Sequence, residues 1–96
     1  MRQGTSYEEV AVLEEAETGV QARITRRRNP RGIDQLSYNF FRSYEHKGER
    51  KETTWFSPRH LVGIIRLAGE LDERLRLERE KIVRGEPDHR RPRAAR

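Results

Sequence analysis

Phe41 and Trp55 are set among arginines and small polar residues in a pattern that suits single-stranded nucleic acid. Flat rings stack on unpaired bases, and guanidinium groups neutralise backbone phosphates. Arg23, Thr25 and Arg27 alternate in one segment, Asn39 and Phe41 in a second, Thr53 and Trp55 in a third. If each segment is a strand, the period of two places all seven on one side of a sheet. Arg28, at the end of the first segment, extends the positive charge with Arg26 and Arg31. The division of labour then reads as Arg23, Arg27 and Arg28 on phosphates, Phe41 and Trp55 on bases, and Asn39 and Thr53 on base edges or sugar. Stacking one base on one ring is worth ~1–3 kcal/mol. The same face would serve equally well as a protein interface, with the two aromatics as its hot spot and the arginines as its rim. Non-catalytic binding of single-stranded DNA or RNA is therefore the first expectation, and a homo-oligomeric or protein-interaction module without nucleic acid is the alternative.

Catalytic patterns are not apparent. The chain has no glycine-rich phosphate loop, no nucleophile elbow and no carboxylate pair placed for acid and base roles, so the expectation is a protein that is not an enzyme and needs no cofactor. His46, His60 and His89 fall in a turn, a first helical turn and a tail, a poor set of metal ligands. Without cysteine, disulfides and thiolate metal sites are excluded. A cytoplasmic location is the natural expectation, since no apolar run approaches the ~20 residues of a membrane span, and the acidic start lacks the features of a secretory signal.

Charge is distributed unevenly within a net +5. Residues 7–17 hold five glutamates and no base, and residues 20–31 hold five arginines and no acid. With 32% apolar and 39% charged residues in 96, the buried core must be small, and pairing with a second copy would enlarge it.

These side chains need a scaffold, and the turn residues outline one. Residues 20–28 alternate cleanly and end at Asn29-Pro30-Arg31-Gly32; residues 35–44 form a second strand ending at His46-Lys47-Gly48-Glu49; residues 50–56 return as a third. Val20, Ala22, Ile24, Leu36, Tyr38, Phe40, Thr54 and Phe56 then share the core face. Residues 7–15 read as a fourth strand from their Val-Ala-Val-Leu run, although Ser6 and Glu9 also have capping-box spacing for a helix. Ser57-Pro58 starts a helix that runs to about Arg84. Leu61, Ile64, Ile65, Ala68, Leu71 and Leu75 form its apolar stripe, and Leu71, Leu75 and Ile82 could continue a seam against a second copy.

The expectation is thus an α+β domain over residues 7–84, an antiparallel β-meander of three or four strands packed on one C-terminal helix, dimeric, with a flexible start (1–6) and a disordered basic tail (85–96).

The segments Gly19-Val20-Gln21-Ala22-Arg23-Ile24, Tyr38-Asn39-Phe40-Phe41-Arg42-Ser43-Tyr44 and Lys51-Glu52-Thr53-Thr54-Trp55-Phe56, followed by Leu61-Val62, resemble a group of small uncharacterised bacterial proteins. The order of elements is also similar to the superfamily of Whirly proteins, Pur-alpha and the positive-cofactor-four coactivator. That resemblance covers residues 19–75 and implies a homodimer that binds single-stranded nucleic acid on its sheet. Trp55 departs from the bacterial group, which often has a small polar residue there.

Overall fold

The computed structural model describes residues 6–32 and 34–84. Four strands, β1 (Ser6–Glu14), β2 (Gln21–Arg28), β3 (Gln35–His46) and β4 (Glu49–Thr53), form one antiparallel sheet in chain order. A single 3-10 turn (Pro58–His60) leads into the helix α1 (Leu61–Arg84). The fold is α+β. Ser6, expected in the frayed start, is the first residue of β1 and sits opposite Arg28. The other expected flexible residues and the basic tail lie outside the described residues.

The segment with two readings is a strand. Gly19 takes φ +80°, closing a turn in which the Glu15 amide donates to the Val20 carbonyl at 2.8 Å and the Gly19 amide to the Glu15 carbonyl at 2.9 Å. The Glu15 carboxylate accepts the Thr18 amide at 2.8 Å, fixing the turn from inside. β1 then pairs with all of β2, so the acidic and basic blocks of the sequence become neighbours. A bulge between Glu9 and Ala11 lets Val10 join the core beside Leu13.

β3 is longer than either partner. Its first part pairs with β2 as far as Phe41, and its last five residues pair with β4. Lys47 and Gly48 join β3 to β4 with φ of 53° and 80°, a two-residue turn whose twist matches that of a hairpin. β4 ends at Thr53, short of the expected Phe56. The Thr53 hydroxyl accepts the Trp55 amide at 3.1 Å, and Arg42 donates to the Trp55 carbonyl through Nε at 3.0 Å and Nη2 at 2.9 Å. With its backbone groups satisfied by side chains, Trp55 has left the ladder.

The core is Val20, Ala22 and Ile24 of β2 against Leu67 and Leu71 of α1, with Leu36, Phe40, Phe56, Ile64 and Leu75 around them. The helix therefore lies on the sheet in a different phase from the one its sequence suggests. Leu67 belongs to the buried stripe, whereas Leu61, Ile65 and Ala68 face outward. Leu71 is under the sheet and takes no part in an outer seam. The reason is close packing at Gly63, where a Cβ would come 1.9 Å from Thr18 Oγ1: only a residue without a side chain lets the helix seat against the β1–β2 turn. Arg66, on the same part of α1, donates to Glu15 at 3.2 Å and Glu17 at 2.5 Å. At the far end Glu78 is buried and held by Arg74 at 3.1 Å and Lys81 at 3.5 Å. No helix among the described residues is long and apolar enough to cross a membrane.

Candidate functional site

Directly paired residues of an antiparallel sheet share a face, so the register assigns each candidate residue. Tyr7, Glu9, Val12 and Glu14 of β1, Gln21, Arg23, Thr25 and Arg27 of β2, Gln35, Ser37, Asn39 and Phe41 of β3, and Glu52 of β4 lie on the side away from α1. Five of the seven expected alternating residues are among them.

This outer face is not the bare basic surface that alternation implied. Arg23 donates to Glu52 at 2.6 Å and 3.2 Å and to Glu9 at 3.2 Å, while its guanidinium carbon stands 4.2 Å from the centre of the Phe41 ring. Phe41 is thereby only 2% exposed. A buried ring stacked under a guanidinium offers no free face to a base, contrary to the stacking role expected of Phe41. The hydrogen bond from Arg23 holds the Glu52 carboxyl below its ordinary range, and Glu52 in turn raises Arg23. Arg27 donates to Gln35 and Arg28 pairs with Glu8 at 2.9 Å. Arg26 pairs with Asp34 at 2.9 Å. Burial alone would raise Asp34, but the Asn29 amide, Arg26 and Arg28 together hold it low. Exposed ion pairs are worth ~0–1 kcal/mol each, yet a phosphate would have to displace a carboxylate to use Arg23 or Arg28, and the Gln35 amide to use Arg27.

Two other residues also change place. Thr53 pairs with Arg42, which alternates with Phe40, so Thr53 belongs to the helix side. Trp55 lies beyond β4 and is 81% exposed. Asn39 remains exposed on the outer face.

The helix side of β3 and β4 has the chemistry sought on the other face. Tyr38, Arg42 and Tyr44 alternate along it with Phe40, and Lys51 stands opposite Tyr44. Because α1 sits over β2, Tyr38 and Tyr44 stay 55% and 43% exposed. Tyr38 meets Phe40 edge to face at 6.0 Å, and Arg42 lies 6.0 Å from the Phe56 ring centre while holding the Trp55 carbonyl. Lys51 has an exposed carboxylate, Glu49, at 3.4 Å. Sequence reasoning assigned Tyr38 and Tyr44 to the inner face because their parity matched the core, and so missed them as exposed aromatics. The usable signal was that the third strand outruns the second, so one helix cannot cover all of it.

His60 supports this region from beneath. Its Nδ1 accepts the Ser57 amide at 2.9 Å, its own amide donates to the Ser57 carbonyl at 2.9 Å, and its ring meets Phe56 edge to face at 6.0 Å. Burial, with Arg59 and Arg42 nearby, depresses its pKa below the ordinary 6.5. The neutral imidazole is thus a local cap. Among the described residues no three His, Asp or Glu side chains are grouped to hold a metal ion.

Comparison with family models, with curated proteins and with solved structures finds no match.

Proposed function

We propose that this chain is a cytoplasmic, non-catalytic protein that binds single-stranded DNA or RNA on the helix side of the β3–β4 arm. The observation that carries the reading is that exposed Tyr38 and Tyr44 share one face of the arm with Arg42 and Lys51, while exposed Trp55 is tied to the arm by Arg42 at its carbonyl. Bases would stack on the rings while the two cations meet the backbone, giving low sequence preference. The resemblance to the Whirly, Pur-alpha and positive-cofactor-four superfamily agrees with this class of ligand but rests on residue classes alone.

The test is titration of Trp55 fluorescence, together with anisotropy of a labelled mixed-sequence oligonucleotide, at low and physiological salt. Saturable quenching that weakens with salt is expected, with a slope of about −0.7 per phosphate for each cation engaged. Tyr44→Ala or Trp55→Ala should weaken binding ~5- to 100-fold, the equivalent of one stacked base. Asn39→Ala and Glu52→Gln, on the other face, should change it little. No quenching by any oligonucleotide would reject the proposal, and a large loss in Asn39→Ala alone would return the site to the outer face. The second reading, an assembly module, is favoured by one separate observation, the apolar side chains that α1 leaves uncovered.

A further inference from the structure

The first half of α1 carries two apolar stripes and buries one. Ile64, Leu67, Leu71 and Leu75 pack on the sheet. Leu61, Ile65, Ala68 and Gly69, at helical spacings of four, seven and eight, form a second stripe with Val62 at its margin. Leu61 is 57% and Ile65 is 64% exposed. Isolated exposed leucines need no explanation, but Leu61, Val62 and Ile65 are clustered on adjacent turns and continued by Ala68 and Gly69, a contiguous apolar patch of the kind that marks an interaction surface.

We infer that a second copy of this chain covers that stripe, the two α1 helices crossing antiparallel about a two-fold axis at Ile65. Three features of the helix fit this occupant and this direction. Antiparallel pairing centred on Ile65 sets Leu61 against Gly69 of the second copy. Gly69 has no side chain and an added Cβ there would meet nothing within 4 Å, so the pairing sets a large residue against a position with open space above it. The same pairing brings the helix start opposite Asp72 and Glu73 of the other copy. That start has Arg59 and no acidic residue in its first turn, so its partial positive charge has no carboxylate of its own. Asp72 and Glu73 are both exposed, Glu73 with Arg76 of its own helix at 2.8 Å. Parallel pairing would instead place Arg59 beside Arg59 and the two positive helix ends together. The surface is thus complementary to itself in one direction only, as a two-fold interface requires.

This inference is independent of nucleic acid, because none of these residues lies on the β3–β4 arm. Its test is sedimentation equilibrium of the full chain and of Ile65→Glu, with circular dichroism to confirm that both fold. Ile65 is exposed in the single chain, so the substitution should leave the fold intact. A wild-type dimer at micromolar concentration and at least ~100-fold weaker association in Ile65→Glu are expected, the usual scale for disrupting the centre of an interface. Arg59→Glu should weaken the dimer, and Arg59→Glu combined with Asp72→Arg and Glu73→Arg should restore it. Because the chain has no cysteine, Ile65→Cys gives a direct geometric readout: mild oxidation should link two copies at the axis, while Val83→Cys should not link. A monomeric wild type would overturn the inference and leave the stripe to a different partner. A dimer unaffected by Ile65→Glu would overturn it as well, by placing the interface elsewhere.

Discussion

Gly63→Ala tests how the helix is seated. In a helix interior alanine is favoured over glycine by ~1 kcal/mol. Against that, the new Cβ would lie 1.9 Å from Thr18 Oγ1 and 2.9 Å from Thr18 Cβ. Thr18 cannot simply rotate away, because its hydroxyl is 2.5 Å from Glu15 Oε1 and its amide is bonded to the same carboxylate. Overpacking of this kind costs ~1–3 kcal/mol, and disturbing a hydrogen bond to a charged acceptor costs ~1.5–3 kcal/mol. The propensity gain offsets only part of this, leaving a net loss of about 3 kcal/mol. For a domain of this size that lowers Tm by ~12–24 °C. The assay is thermal and urea unfolding of Gly63→Ala, Thr18→Gly and the double variant. Removing Thr18 removes both close contacts, and the remaining one, 3.0 Å from Glu15 Oε1, involves the end of a flexible side chain. In the Thr18→Gly background Gly63→Ala should therefore be neutral or stabilising by up to ~1 kcal/mol. Equal effects in both backgrounds, or a stabilised single variant, would refute the seating of α1 on the β1–β2 turn.

Gly69→Ala, made in the Ile65→Glu background so that self-association does not contribute, should raise stability by ~1 kcal/mol, measured by urea unfolding, since its Cβ meets open space. Phe41→Ala should lower stability by ~3 kcal/mol in the same assay, because the ring is buried beneath Arg23; a neutral effect would mean the ring is free. Stability should also fall with acid in two steps. His60 has a folded pKa below its ordinary 6.5, so the unfolded chain takes the proton first; the His60 contribution is complete above about pH 6.5 and is lost as pH falls through the folded value. Glu15, held low by the Thr18 hydroxyl and amide, and Glu52, held low by Arg23, contribute above the ordinary value of 4.5 and lose that contribution at lower pH. In His60→Gln, Tm against pH should stay level until the carboxylate range, and coincident curves for the two proteins would remove His60 from the account.

Short-range chemistry made much of this fold legible. Gly19, Lys47-Gly48 and Ser57-Pro58 punctuate the chain through backbone preferences that operate within four residues, so β2, β3, the hairpins and the helix start follow from the sequence alone. Alternation also placed Arg23, Thr25, Arg27, Asn39 and Phe41 together on one side of the sheet. What alternation cannot express is which neighbours stand beside a residue. The glutamates of β1 and β4 reach Arg23 only because the sheet brings strands far apart in the chain to adjacent positions, and the resulting ion pairs and the guanidinium over Phe41 turn an expected ligand surface into a self-satisfied one. The helix phase is tertiary for a related reason. Leu61, Ile64, Ile65, Leu67 and Leu71 are all apolar, and helical spacing alone admits two stripes. The contact between Gly63 and Thr18 selects the stripe that is buried, leaving Leu61 and Ile65 outside. Trp55 left its strand because two side chains, Thr53 and Arg42, satisfied its backbone in place of a ladder. Residue type and spacing determined the elements, while long-range packing and ion pairing decided which faces stay open to a partner.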